Sequence, residues 1–282
     1  MPLRLFEGLC VVIVVLTLLA MARSTPWQRL LTDYFLLAGA GFIGEESAIT
    51  LYRYYTYADG WDLRVLDVPL LVPLIWPLVI LSARGVSRGL FPKASLSQAA
   101  AITAAIVVFD ASLVEVVAVR AGLWSWDEGG HLGVPLIGIL GWGFFAYGAE
   151  RVMGRLVSLP GRAAVLVLAP LIAHALIALS WWGCLRWMGR GALGDASLVA
   201  LVIIASGLTA WVVRARRMGR RIPFEVAWPR VFAAALFFAL LVSAAPTDLR
   251  LWLHVTCAAM PYMIATRWPA RRGTASTLAP QV

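Results

Sequence analysis

Apolar runs long enough to cross a bilayer recur through this chain, near residues 5–22, 30–51, 66–83, 98–120, 133–150, 163–186, 196–214, 230–246 and 249–267. About 20 apolar residues in a helix cover the ~30 Å hydrocarbon core, and in lipid a helix satisfies its backbone polar groups within its own segment. The expected fold is therefore all-α, a polytopic transmembrane helix bundle of eight or nine spans. Charged residues make up 14% of the chain, against roughly 25% in soluble domains. Residues 1–268 read as a single integral membrane domain and 269–282, PARRGTASTLAPQV, as a disordered cytoplasmic tail. The first run ends Ala20-Met21-Ala22, a passable cleavage site, yet so many runs follow it that an uncleaved first helix is expected.

The 24 Lys and Arg set the orientation. Arg84, Arg88, Lys93, Arg151, Arg155, Arg162 and the cluster from Arg214 to Arg221 fall in the odd loops, which the positive-inside rule puts in the cytoplasm. The expected location is a bacterial plasma membrane with the C-terminus cytoplasmic. The net charge of +9 follows from this bias and from attraction to anionic lipids. No basic stripe lies outside the membrane-flanking loops, so nucleic acid is not an expected partner.

Against this apolar background the acids stand out. Glu45 and Glu46 lie beyond mid-depth of the second run, Asp110 and Glu115 in the fourth. A carboxylate in a span costs a few kcal/mol, so it faces a cavity or a partner. Neighbours on a helix point about 100° apart, so at most one of Glu45 and Glu46 faces a given cavity; the other pairs with Arg53 or Arg64 or sits at the interface. Asp33, near a helix start, needs no function.

The surroundings of these acids repeat. Aligned on Glu46 and Glu115, each half continues at the same distance into an aromatic-x-aromatic triplet, Tyr55-Thr56-Tyr57 and then Trp124-Ser125-Trp126. Each triplet leads through an acidic, glycine-bearing loop to Val68-Pro69-Leu70 or Val134-Pro135-Leu136, and a tryptophan follows at equal spacing, Trp76 or Trp142. The repeated motifs occupy about 45–76 and 110–142. Tandem motifs of this kind build sites between two related halves. Tyrosines at a helix exit suit the aromatic belt of a membrane, and their recurrence as tryptophans shifts some weight towards a cavity wall. The interior prolines of 66–83 and 133–150 suggest bent or partly re-entrant segments.

The remaining features are plainer. Cys10, Cys184 and Cys257 have neither disulfide nor zinc spacing and read as small buried hydrophobes. His131, alone in a loop, reads more often as neither ligand nor proton carrier, His174 equally suits hydrogen-bonded structure, and His254 lies in the last run. The seventh and eighth runs carry nothing ionisable at depth and read as scaffold. No phosphate-binding glycine loop, catalytic triad, zinc box or paired-Asp metal box is present, which points away from cofactor or metal and towards acid–base chemistry. A carboxylic acid held in apolar surroundings can protonate a trisubstituted alkene, and aromatic faces stabilise the resulting cation. The same parts suit a proton-coupled transporter.

The blocks LYRYYTYADGWDLRVLDVPLLVPLIW and FDASLVEVVAVRAGLWSWDEGGHLGVPLIGILGW resemble the two signature regions of carotenoid biosynthesis membrane proteins of the carotenoid 1′,2′-hydratase type. In the second block Ile137-Gly138 stand where that family shows Ser-Asn. The resemblance implies a lyase that adds water to the terminal double bond of an acyclic carotenoid without a cofactor, or a related end-group cyclase. It implies Asp110 or Glu46 as proton donor and Glu115 as second acid or base. Tyr55, Tyr57, Trp124 and Trp126 would line the polyene end, with Trp76 and Trp142 behind them. The implied partners are a lipophilic isoprenoid substrate, membrane lipids and other enzymes of the same pathway. A carboxylate paired with Arg53, Arg64 or Arg120, or a non-catalytic transporter or lipid binder, stands as the alternative.

Overall fold

The computed structural model describes residues 1–156, 158–187, 194–217, 222 and 224–265; the expected tail lies outside the described residues. The helices are α1 (Leu3–Met21), α2 (Trp27–Tyr52), α3 (Leu71–Leu90), α4 (Leu96–Arg120), α5 (Leu136–Arg155), the short α6 (Leu159–Ala163), α7 (Val165–Ile177), α8 (Gly194–Arg217), α9 (Phe224–Ala244) and α10 (Leu249–Ala265). A π-helical turn, Ala178–Trp182, extends α7. Among the described residues, five helical stretches are long and apolar enough to cross a membrane: Leu3–Met21, Leu71–Leu90, Leu96–Arg120, Leu159–Trp182 and Glu225–Ala244. α2, which carries Glu45 and Glu46, is not among them.

Local chemistry sets the boundaries. Ser95 caps α4 in a capping box with Gln98, satisfying two of the free donors at a helix start. Pro26 and Pro135 precede the first turns of α2 and α5. The expected bends reduce to Pro77 inside α3, while Pro69 lies in a strand before that helix and Pro135 caps α5.

The two repeated loops meet. Strand β1 (Tyr55–Tyr57) pairs antiparallel with β4 (Trp124–Trp126), Tyr55 opposite Trp126 and Tyr57 opposite Trp124. Bonds from Ala58 N–H to Leu123 O (3.0 Å) and from Asp127 N–H to Tyr54 O (2.8 Å) lengthen the ribbon. Both loops therefore sit at one end of the bundle. Beyond each triplet the chain makes the same tight turn. Strands β2 (Arg64–Val65) and β3 (Val68–Pro69) pair Val65 with Val68, and a bridge joins His131 to Val134 at the equivalent positions. The turn leucine is left-handed in both, Leu66 at φ 54° and Leu132 at φ 55°.

At the opposite end equivalent positions also meet. Arg84 in α3 and Glu150 in α5 stand at the same distance beyond Trp76 and Trp142, and they form a 2.6 Å ion pair. Asp33, expected to be a simple helix-end acid, joins this buried cluster through Arg84 (4.0 Å) and Arg162. Losing one partner of such a cluster leaves an uncompensated buried charge, which costs about 3–5 kcal/mol. The α2–α3 and α4–α5 halves are thus clasped at both ends, by a strand pair and by an ion pair.

Candidate functional site

Between the two clasps each half presents one buried glutamate. Glu45, on the inward face of α2, accepts hydrogen bonds from the Tyr55 hydroxyl, the Tyr57 hydroxyl (2.9 Å) and Trp76 Nε1–H (2.9 Å). Glu115 on α4 accepts from Trp124 Nε1–H (2.9 Å), Trp126 Nε1–H (3.1 Å) and Trp142 Nε1–H (2.7 Å). Each carboxylate is therefore cradled by both aromatics of its own triplet and by the tryptophan after its own Val-Pro-Leu. Trp76 and Trp142, expected behind the other rings, are direct partners of the acids.

The cradles also touch each other. Trp76 and Trp142 have ring centroids 4.4 Å apart, Tyr55 and Trp126 4.7 Å, and Tyr57 and Trp124 5.8 Å. Glu45 and Glu115 line the same cavity. Burial, and then the Glu45 carboxylate, push the Tyr55 and Tyr57 hydroxyls well above the ordinary phenol range, so both remain donors at neutral pH.

Glycines make room for two of the indoles. A Cβ at Gly138 would come within 2.5 Å of the Trp126 ring, and one at Gly41 within 3.1 Å of Trp76. The Gly138 that replaces a polar residue of the related signature thus lets Trp126 reach Glu115.

Equal spacing sets Glu46 against Glu115, but in the folded chain Glu45 takes the equivalent place. α2 continues further past its glutamate than α4 does and leaves through a left-handed Arg53 (φ 52°), whereas α4 stops sooner and leaves through Ala121 and Gly122 (φ 73°). This different exit shifts the register by one residue. Glu46 faces the loop, accepting from Thr50 Oγ1 (3.3 Å) and Asp67 N–H (3.1 Å), and neither Arg53 nor Arg64 pairs with either glutamate.

Asp110 lies in the same cavity but is held by a cation. Arg230 Nη2 bonds both Asp110 carboxylate oxygens, Arg230 Nη1–H reaches Ser82 Oγ (2.7 Å), and the guanidinium lies 4.8 Å from the Tyr262 ring centre. The partners expected from sequence are engaged elsewhere, Arg64 with Asp59 (3.6 Å) and Arg120 with Asp248 (3.0 Å). The eighth run, expected to carry nothing ionisable at depth, therefore does carry a charge: Arg230 reaches from α9 to Asp110 and Ser82. The available signal was an arginine directly after Pro229 and before VFAAALFF, without the basic neighbours that mark a loop.

Glutamates, aromatics and ion pair line one cavity of about 620 Å³, in the range of small-molecule sites. Its wall follows α3 from Leu71 to Val86, about 22 Å of helix at 1.5 Å per residue, and α1 and α9 close it with mostly apolar side chains. His174 is a further polar wall residue: Tyr52 bonds its Nδ1 (3.1 Å) and Ser47 its Nε2 (2.8 Å). His254 Nε2–H donates to Ser112 O (2.7 Å) and its Nδ1 meets His131 Nε2 (3.1 Å). No group of three or more His, Cys, Asp or Glu suited to a metal occurs among the described residues.

Helices long and apolar enough to cross a membrane, around a slot of paired acids and aromatic rings, define a membrane protein with an apolar cavity. The chain belongs to the carotenoid biosynthesis protein family, whose model matches residues 5–205. No curated protein and no solved structure matches it significantly. Membership carries a role in carotenoid biosynthesis and, with it, a lipophilic isoprenoid substrate. The matched segment holds both cradles and ends before α9 and α10, so Arg230 and Tyr262 lie outside it.

Proposed function

We propose that this protein is a cofactor-independent hydratase that adds water to the terminal double bond of an acyclic carotenoid within the membrane. The observation that carries the reading is the pair of buried glutamates, each held by three aromatic donors in one apolar slot.

The two acids suit different tasks. Tyrosine hydroxyls both donate and accept hydrogen bonds, so Glu45 with Tyr55 and Tyr57 can deliver a proton and take one back; indole N–H groups only donate, so Glu115 is held as an acceptor. Protonation of the terminal alkene from Glu45 leaves a tertiary cation, which the Glu115 carboxylate and the surrounding ring faces stabilise. Water adds to the cation and its extra proton returns to Glu45, so the net change is one added water. Asp110, with both oxygens taken by Arg230, and Glu46, turned to the loop, are less suited to donate.

One observation favours a second reading. The slot is apolar, and Ile137 and Gly138 line it where the related signature has a polar pair. If an internal double bond captures the cation and a proton is then lost, the same machinery performs cyclisation.

The test is expression in cells that accumulate lycopene, with pigments analysed by liquid chromatography and mass spectrometry beside Glu45→Gln. A product heavier by one water that disappears in the variant supports hydration. An isomer of unchanged mass assigns cyclisation, and unaltered lycopene in wild-type cells refutes both for this substrate.

A further inference from the structure

The Asp110–Arg230 pair occupies an unusual place for an ion pair that only fastens helices. Both residues line the slot that holds the glutamates, and so do Ser82 and Tyr262. Asp110 lies five residues inward of Glu115 on α4, about 7.5 Å by helical rise, and Ser82 lies about 9 Å inward of Trp76 on α3 by the same measure. Elsewhere the wall between the two levels is apolar, including Leu78, Val79, Leu113 and Val114. A few polar groups in an apolar pocket fix the orientation of what binds there. A hydrocarbon alone gives a guanidinium–carboxylate pair nothing to bond.

We infer that Asp110 and Arg230 form a substrate-reading station for an oxygen function, a hydroxyl or carbonyl, carried by the isoprenoid about 7–9 Å from its reacting double bond. A guanidinium offers five N–H donors, which Asp110, Ser82 and Tyr262 share here, and a ligand oxygen can join them, as the carboxylate can accept from a hydroxyl. The station is built partly from α9 and α10, beyond the segment that the family model matches. It is thus a specificity feature added to the shared acid–aromatic core. The inference rests on the polyene-end reading of the cavity and adds to it a preference for chains that carry oxygen over hydrocarbons such as lycopene, which the slot still admits.

Geraniol is a suitable probe because its hydroxyl and its terminal isopropylidene are separated by about the distance between the two levels. Its deoxy analogue, 2,6-dimethylocta-2,6-diene, keeps the carbon skeleton. Purified wild-type protein in detergent is titrated with each compound, and the change in tryptophan emission is followed. One hydrogen bond to a charged partner predicts geraniol binding about tenfold tighter than the hydrocarbon.

In Asp110→Leu with Arg230→Met, an apolar replacement of the whole pair, that preference is expected to vanish while hydrocarbon binding persists. Arg230→Lys keeps the charge but loses the planar fork. It is expected to reduce the preference and serves as the deciding variant if the double substitution does not fold. Equal binding of both compounds to wild type, binding of neither, or a preference that survives in the variants overturns the inference. The readout is binding, so lost selectivity with intact pigment conversion sinks this inference alone. Unaltered lycopene with selectivity intact sinks the hydratase reading alone.

Discussion

The tyrosine half and the tryptophan half of this protein hold the same functional group in the same geometry with different chemistry. Glu45 is bonded by two phenols and one indole, Glu115 by three indoles. The tight turns repeat in backbone, down to the left-handed leucines 66 and 132, while the helix exits and the donors have diverged. Pairs of acids in enzymes divide their work when their environments differ. Here the difference is whether a donor can also accept: a phenol can accept a hydrogen bond from a protonated Glu45 as well as donate to its anion, and an indole N–H can only donate.

The comparison breaks most directly at the acids. Glu45→Gln removes the proposed donor, and product formation from lycopene in isolated membranes is expected to fall about a thousandfold, within the range for general acid catalysis. Glu115→Gln removes the anion beside the cation but leaves the donor, and a fall of about a hundredfold is expected. Equal losses would mean that the halves are interchangeable, and a larger loss at Glu115 would reverse the assignment.

A smaller effect separates the halves through their glycines. In Gly138→Ala the new methyl group meets the Trp126 ring, 2.5 Å from the ideal Cβ, so the indole must leave its place beside Glu115. Loss of one donor to a charged acceptor predicts about a tenfold drop in rate. Gly41→Ala leaves 3.1 Å to Trp76, which a small shift relieves, and a change of about twofold is expected. Rates of both variants in the same membranes decide the matter; a heavier loss at Gly41 would place the tighter tolerance in the tyrosine half.

Much of this was legible in the chain. Apolar runs gave the helical membrane fold, and the repeated triplet, Val-Pro-Leu and tryptophan gave every aromatic donor of the site. Spacing failed at Glu46 because it assumes that both helices end alike, and the left-handed Arg53 changes the register of one exit. It did not reveal the partner of Asp110, because Arg230 stands far along the chain in a run that reads as scaffold. Such a contact depends on how α9 packs against α4, which a one-dimensional pattern does not encode. The ion pair between Arg84 and Glu150 escaped for a related reason, since charges near helix ends are counted for orientation and not matched to partners across a repeat.

The smallest test concerns the turns. A leucine in the left-handed region costs on the order of 1 kcal/mol, and the two halves recover that cost differently. Leu132 packs against the core cluster that includes Val134 and Val116, whereas Leu66 is 72% exposed. Glycine adopts this backbone freely, at some entropic cost in the unfolded chain. Leu66→Gly is therefore expected to raise stability slightly, by less than about 1 kcal/mol. Leu132→Gly is expected to lower it by about 1–2 kcal/mol as packing is lost. Thermal unfolding of the two variants in one detergent measures the difference. If both are destabilised, the exposed leucine is held by contacts that form in the bilayer mimic, and the two turns are energetically alike after all.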